Sequence, residues 1–326
     1  MTLEAYKIRI ILYVHIEHAF AKDDRKVHFM NIGEKSMSKV AIVTDSNSGI
    51  TQAQALQLGI SVIPMPFMFG DDPKTYYEDI NLTRDDFFER QESDVRIVTS
   101  QPGPTDVLKL WNRLLEEYDE IVHIPMSSGL SGSCQSARML SSDFDGKVEV
   151  VNNQRISVTQ KASVLDAMNL ARKGLSAREI REELEAVKFE SSIYIMLDTL
   201  KYLKAGGRIT PAAAAIGTLL RIKPVLQIKG ERLDAFSKAR TVQQGKTTMI
   251  NAMKNDIETL YGGTDQETCW LYAGQSRSPE TFPQWSSEVR AAFPNFNVQD
   301  DMLSLSVSCH IGAGALAIAC SKKIKI

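Results

Sequence analysis

Hydroxyl side chains gather at two places in this chain. Thr99-Ser100-Gln101-Pro102 and Ser127-Ser128-Gly129-Leu130-Ser131-Gly132 each follow a short apolar run and precede a segment with helical spacing. A strand that ends in such a loop and leads into a helix presents the free N–H groups of the first turn. Their partial positive charge favours an anion. Clustered hydroxyls add donors there without adding charge. Gly129 and Gly132 let the backbone come close to a ligand. In an open α/β sheet, ligands collect at the carboxyl ends of the strands. This chemistry suits a carboxylate or a phosphate. Taken singly, each loop reads first as a helix N-cap; two of them at adjacent strand ends read equally as a site or as two caps.

Two further side chains belong to the same question. His310 lies in His310-Ile311-Gly312-Ala313-Gly314-Ala315, where the glycines imply a tight turn. An imidazole beside a hydroxyl-rich loop donates to a carboxylate or acts as a base, although a lone histidine is often a core residue. Arg208 follows Gly206-Gly207 and reads either as a surface side chain or as a bidentate anion ligand. Nucleophilic chemistry would need Ser128 as nucleophile, His310 as base and a third, orienting group, for which Asp45 is the one candidate. There is no GxxxxGK[ST], no HExxH and no GxSxG, and no carboxylate pair stands out as an acid/base couple. His15 and His18 are three residues apart with no acidic or thiol partner clearly placed, so no metal is expected.

The elements that must position these residues follow from periodicity. Val40–Val43, Asp94–Val98, Glu120–Pro125 and Lys147–Val151 read as strands, and Ser61–Phe69 as an edge strand at best because of Pro64 and Pro66. Val107, Leu108, Trp111, Leu114, Leu115 and Tyr118 form one face of a helix. Strand, polar loop and helix recur, which is the pattern of a parallel sheet covered by helices. Beyond about residue 166 the pattern changes. Ser176 with Glu179 forms a capping box. Pro224–Lys229 and Arg232–Lys238 flank Gly230 as a hairpin, and Thr241–Leu260 is a long helix. Thr210-Pro211 opens another helix, Cys269–Ala273 is a strand, and Val307–Cys309 and Ala315–Ala319 read as strands around a Gly-rich turn. The expected architecture is therefore α/β in two domains: 37–165 with a three-layer parallel sheet, and 166–326 mixed, with antiparallel pairing. Residues 1–36 read as a leader or a mis-assigned start outside the core.

Composition bounds the function. The 326 residues carry a net charge of −2, too little positive charge for a nucleic-acid coat. No apolar run approaches the roughly 18 residues of a membrane span. Cys134, Cys269, Cys309 and Cys320 include no CxxC pair and read as reduced thiols of a cytoplasmic protein.

Six segments in this order resemble the DegV family of fatty-acid-binding proteins: Val43-Thr44-Asp45-Ser46, the Thr99 loop, the Ser127 loop, Thr199 to Ile209, Ile222-Lys223-Pro224, and His310 to Ala315. The resemblance spans about Lys39 to Ala319. It implies two α/β domains with a long-chain fatty acid between them as ligand and no cofactor. It also implies that Thr99 and Ser128 hold the carboxylate, with Ser100, Ser127, Arg208 and His310 nearby. By the same resemblance the protein is a non-catalytic carrier that presents the carboxylate to a separate fatty-acid kinase, with at most transient membrane contact. A Ser/His acyl or phosphoryl transferase and a lipid sensor acting through a protein partner are the alternatives. Three departures stand out: Asn152-Asn153 where the family commonly has Asp-Ser, Val158-Thr159-Gln160-Lys161-Ala162 in place of a glycine-rich run, and Ala313 in place of Pro. The first two bear on acyl specificity rather than on Thr99 or Ser128.

Overall fold

The computed structural model describes residues 38–208, 210, 222–262 and 265–325. The expected leader, its histidines and the helix expected from Pro211 lie outside the described residues.

Four parallel strands form the first sheet: β1 (Val40–Asp45), β2 (Ser61–Ile63), β6 (Glu120–Ile124) and β7 (Val148–Val150), in the order β2-β1-β6-β7. Alternation along β1 sends its two faces to different helices. Ile42 packs with Val164, Leu170, Ile180 and Leu184 from α5 (Ser157–Arg172) and α6 (Ala177–Ala186). Ala41 and Val43 pack with Val107 and Trp111 of α3 (Pro104–Leu114) and with Cys134 and Ala137 of α4 (Ser133–Ser141). The expected three layers are present. The capping box at Ser176 is also formed, with Glu179 N donating to Ser176 Oγ at 3.4 Å and Ser176 N donating to Glu179 Oε2 at 2.8 Å.

The segment 61–69 differs from the single edge strand expected. Pro64 ends β2, which is indeed the edge of the parallel sheet. The chain then re-forms as β3 (Pro66–Phe69), the middle of a small antiparallel sheet with β4 (Tyr76–Tyr77) and β5 (Ile97–Thr99). Pro66 sits at the first strand position, where its missing N–H is tolerated. Thr99 therefore ends a strand of this small sheet, not a neighbour of β6 in the parallel sheet. An aromatic cluster fixes the small sheet. Phe67, Phe69, Tyr76, Phe87 and Phe88 meet edge to face, the last pair of phenylalanines belonging to α2 (Arg84–Glu92).

A mixed sheet of six strands follows: β8 (Ser191–Met196), β9 (Lys223–Ile228), β10 (Leu233–Ala239), β11 (Cys269–Gln275), β12 (Val298–Met302) and β13 (Leu316–Lys322), in the order β10-β9-β8-β13-β11-β12. The hairpin of β9 and β10 is as expected, and pairing is antiparallel except between β11 and β12. One face packs on Met249 and Met253 of α8 (Val242–Asp256) and on Trp285 and Val289 of α9 (Phe282–Ala292). The other face turns toward the loops of the parallel sheet.

Two elements depart from the sequence reading. Val307–Cys309 is not a strand but part of a helix, α10 (Leu305–Ile311). Its N-terminus is capped from far away, because Leu305 N donates to Glu78 Oε2 at 2.8 Å. A carboxylate there satisfies an orphan donor and complements the helix dipole. The other is α5, which periodicity missed. Eleven of its sixteen residues are buried, so it carries no polar stripe. The expected 165/166 boundary falls inside α5, which packs against strands of both large sheets. Trp270 Nε1 on β11 donates to Asp166 Oδ1 at 2.9 Å and pins that contact.

Candidate functional site

Between the free face of the mixed sheet and the loops after β1, β5, β6 and β7 lies a cavity of about 980 Å³, counting its open mouth. That volume is at the upper end for a small-molecule site. Its wall is largely aliphatic. Ile193 and Ile195 of β8, Ile228 of β9, Leu233 of β10, and Met65, Met126, Ile156 and Val158 from the other side all face it. Room is left by small residues at the sheet centre. Gly274 of β11 pairs with Ala317 of β13, and Ala319 lies two residues on along the same face.

One end is polar. Thr99, Ser100, Gln101, Arg208 and His310 line it. Thr99 Oγ1 and His310 Nε2 are 3.4 Å apart, although 211 residues separate them in sequence. The aromatic cluster and three polar ties bring them together. Besides the Glu78 cap, Arg84 donates to the Leu303 carbonyl at 2.8 Å, and Gln91 Nε2 to the Ser308 carbonyl at 3.3 Å. Both bonds dock α10 on the small sheet. On its other side His310 meets α7 (Lys201–Gly206), where a Cβ on Gly206 would lie 2.4 Å from His310 Nδ1. Only glycine permits that approach. Burial and the nearby Arg208 charge push the His310 pKa down to about 4, so the imidazole is neutral near pH 7. The Arg208 guanidinium donates to the Gly206 carbonyl at 2.5 Å and is exposed. Thr99, Arg208 and His310 also line a groove on the outer side, with Arg96, Lys201 and Tyr202.

The Ser127 loop behaves otherwise than its sequence suggests. Neither Ser127 nor Ser128 lines the cavity; Leu130 and Ser131 of the same loop do. The turn between β9 and β10 covers the loop's first half. Ser127 Oγ donates to the Glu231 carbonyl at 2.9 Å, and a Cβ on Gly129 would lie 2.5 Å from the Glu231 Cβ. Gln154 Nε2 binds the Glu231 carboxylate at 2.9 Å and fastens the turn. The Ser128 hydroxyl is half-buried and has no hydrogen-bond partner among the described residues.

Asp45 does not orient His310. It accepts from Asn47 N, Asn47 Nδ2, Gln160 Nε2 and Met126 N at 2.9–3.1 Å, and it organises the loops after β1 and β6. Burial raises its pKa against these four donors. A Ser128–His310–Asp45 relay is therefore not assembled. Sequence reasoning missed Asn47, Ser157 and Ser131 as cavity residues. Ser131 lay inside a quoted motif, Asn47 directly follows one, and Ser157 gave no signal. The four cysteines are buried and unbridged, and no helix among the described residues is long and apolar enough to cross a membrane.

An apolar cavity with hydroxyls, a neutral imidazole and a guanidinium at one end lies between a parallel and a mixed sheet of an α/β protein, and its polarity matches that of an amphipathic small molecule. The DegV family profile matches residues 39–323, and the chain belongs to that family. Among solved structures it is similar to a DegV family protein from Thermus thermophilus, described as binding fatty acid. They share 28% identity over 87% of this chain and 99% of that one, with a TM-score of 0.79. It is likewise similar to DegV of Bacillus subtilis, described as a fatty acid binding protein, with 28% identity over 88% of this chain and 100% of that one, and a TM-score of 0.77. A DegV domain-containing protein of Listeria innocua is 28% identical over 87% of this chain and 99% of its own length.

Proposed function

We propose that this protein is a cytoplasmic carrier that binds a long-chain fatty acid between its two halves, 37–165 and 166–326, and hands the carboxylate to a separate fatty-acid kinase. The observation that carries this reading is the cavity itself, a long aliphatic wall closed at one end by Thr99 and His310. Burying an acyl chain contributes roughly 0.8 kcal/mol per methylene, so a dozen methylenes bring about 10 kcal/mol before the costs of binding. The head group then needs only to be satisfied. Thr99 donates one hydrogen bond to the carboxylate and neutral His310 donates a second through Nε2; Ser128, which does not line the cavity but whose hydroxyl has no partner among the described residues, is the further ligand once it turns inward. Ser100 and Arg208 surround them, while Ser127, bonded to the Glu231 carbonyl, stays outside the cavity. No positive charge clamps both carboxylate oxygens. Because Thr99, Arg208 and His310 also line the outer groove, a second protein would reach the carboxylate from that side. The protein supplies no nucleophile and uses no cofactor on this reading.

The test is retention of fatty acid by Thr99→Val and Ser128→Ala proteins. A hydrogen bond to a charged group is worth about 1.5–3 kcal/mol, so loss of the Thr99 donor weakens binding about tenfold or more. Full retention by both variants refutes the head-group assignment. Kinase-dependent phosphorylation of protein-bound fatty acid, absent for apo protein, tests the carrier role.

A further inference from the structure

Two polar side chains that the carboxylate end does not use face the same cavity. Asn47 lies in the turn after β1, and Ser157 is the first residue of α5. Both line the cavity and are 2% and 4% exposed. The turn and α5 pack against each other, and Gln160 of α5 binds the same Asp45 oxygen as Asn47. Asn47 Nδ2 donates to Asp45 Oδ1 at 2.9 Å, which fixes which way the amide points. A carboxylate only accepts, so the amide nitrogen turns inward and Oδ1 is left for the cavity. Among the described residues neither Asn47 Oδ1 nor Ser157 Oγ has a hydrogen-bond partner. Met65, Ile156 and Val158 form the apolar wall of the same cavity and share one cluster. A plain alkyl chain laid here leaves an acceptor and a hydroxyl unsatisfied in a buried place, which is unfavourable.

We infer that the cavity holds a second polar subsite, Asn47 and Ser157, and that its ligand is a long-chain fatty acid carrying a hydroxyl along the chain. An alcohol donates to Asn47 Oδ1 and accepts from Ser157 Oγ. A ketone or an epoxide only accepts, and a methylene does neither. The subsite shares no residue with the head group. Thr99 and His310 meet where the small sheet docks on α10, whereas Asn47 and Ser157 belong to the turn after β1, against which α10 also packs, and to the start of α5. The inference rests on the fatty-acid reading and names the ligand class within it.

The test is displacement of a fluorescent fatty acid by palmitic acid and by a positional series of monohydroxypalmitic acids. It uses the full chain and its Asn47→Leu and Ser157→Ala variants. The expected result is that at least one isomer hydroxylated beyond the third carbon binds about tenfold tighter than palmitic acid. That ratio should collapse toward one in both variants. Ser157→Ala removes a side chain with no internal partner, so it carries the test alone if Asn47→Leu does not fold. Palmitic acid binding as tightly as every isomer overturns the subsite and leaves the fatty-acid reading standing. A preference confined to the second or third carbon also overturns it, since the hydroxyl then sits at the head group. A preference that survives in the folded variants removes Asn47 and Ser157 from it. Displacement by no acid at all overturns the fatty-acid reading itself.

Discussion

His310 combines a hydrogen-bonding distance to Thr99 with a pKa pushed down to about 4 by burial and Arg208. A histidine depressed in this way contributes stability that is present above its ordinary value, near 6.5, and lost as pH falls through about 4. The expected result by NMR is a ring-proton titration with its midpoint near 4. A midpoint near the ordinary value would mean that the imidazole is not held as described. Because it stays neutral, His310 adds no pH dependence to fatty-acid binding between about pH 6 and 8. Part of this site was legible in the residue types. Thr99, Ser100, Arg208 and His310 were singled out by their loops, and all four line the polar end. Their pairing was not legible, since the contact depends on packing between segments 211 residues apart. Ser127 was misjudged because nothing local shows that its hydroxyl is taken by the Glu231 carbonyl.

At the scale of elements, α10 depends on Glu78. Burial lifts the Glu78 carboxyl to about 7, outweighing the Arg84 charge and the Leu305 N–H. A carboxyl raised by folding contributes stability that is full below its unfolded value and lost as pH rises through the folded one. The shift corresponds to about 3 kcal/mol. Between pH 5 and 8 Glu78 therefore pulls the melting temperature down as pH rises, against the gain from His310 below about 6.5, and Glu78→Gln should remove that downward part of the profile. An unchanged slope in that variant would remove Glu78 from the account. The turn over the Ser127 loop makes a second prediction. Gly129→Ala forces a Cβ to within 2.5 Å of the Glu231 Cβ, so the turn must move. The expected loss is about 1–3 kcal/mol in urea unfolding; a variant as stable as the parent would show that the turn is not so closely fitted. Two helices, α10 and α5, show why sequence reading erred. In α10, β-branched Val307 and the glycines beyond it mimic a strand and turn, while the cap that makes it a helix comes from Glu78, 227 residues away. In α5 burial is so uniform that no period appears. By contrast, α3 and the β9–β10 hairpin were read correctly because each carries its signal within a few residues, a one-sided apolar face in α3 and a central glycine in the hairpin.

On the scale of the whole molecule, the cavity exists because large residues are missing from the centre of the mixed sheet. Gly274 and Ala317 face each other there, with Ala319 beyond. Ala317→Leu should fill that space without disturbing either sheet. Fatty-acid affinity should fall about tenfold or more while stability changes by no more than about 1 kcal/mol. Unchanged affinity would place the acyl chain elsewhere. The fold class was legible because alternation, helical spacing and loop chemistry agree along most of the chain. The cavity was not, since Ile193, Ile195 and Ile228 line a ligand space with the same residue type that fills a core. Native mass spectrometry of the purified protein, followed by organic extraction, addresses the central claim directly. The expected result is a one-to-one adduct that extracts as a fatty acid of roughly 14 to 20 carbons, a tail whose burial supplies most of the binding energy. A clean apo mass, with no uptake of added fatty acid, would contradict it.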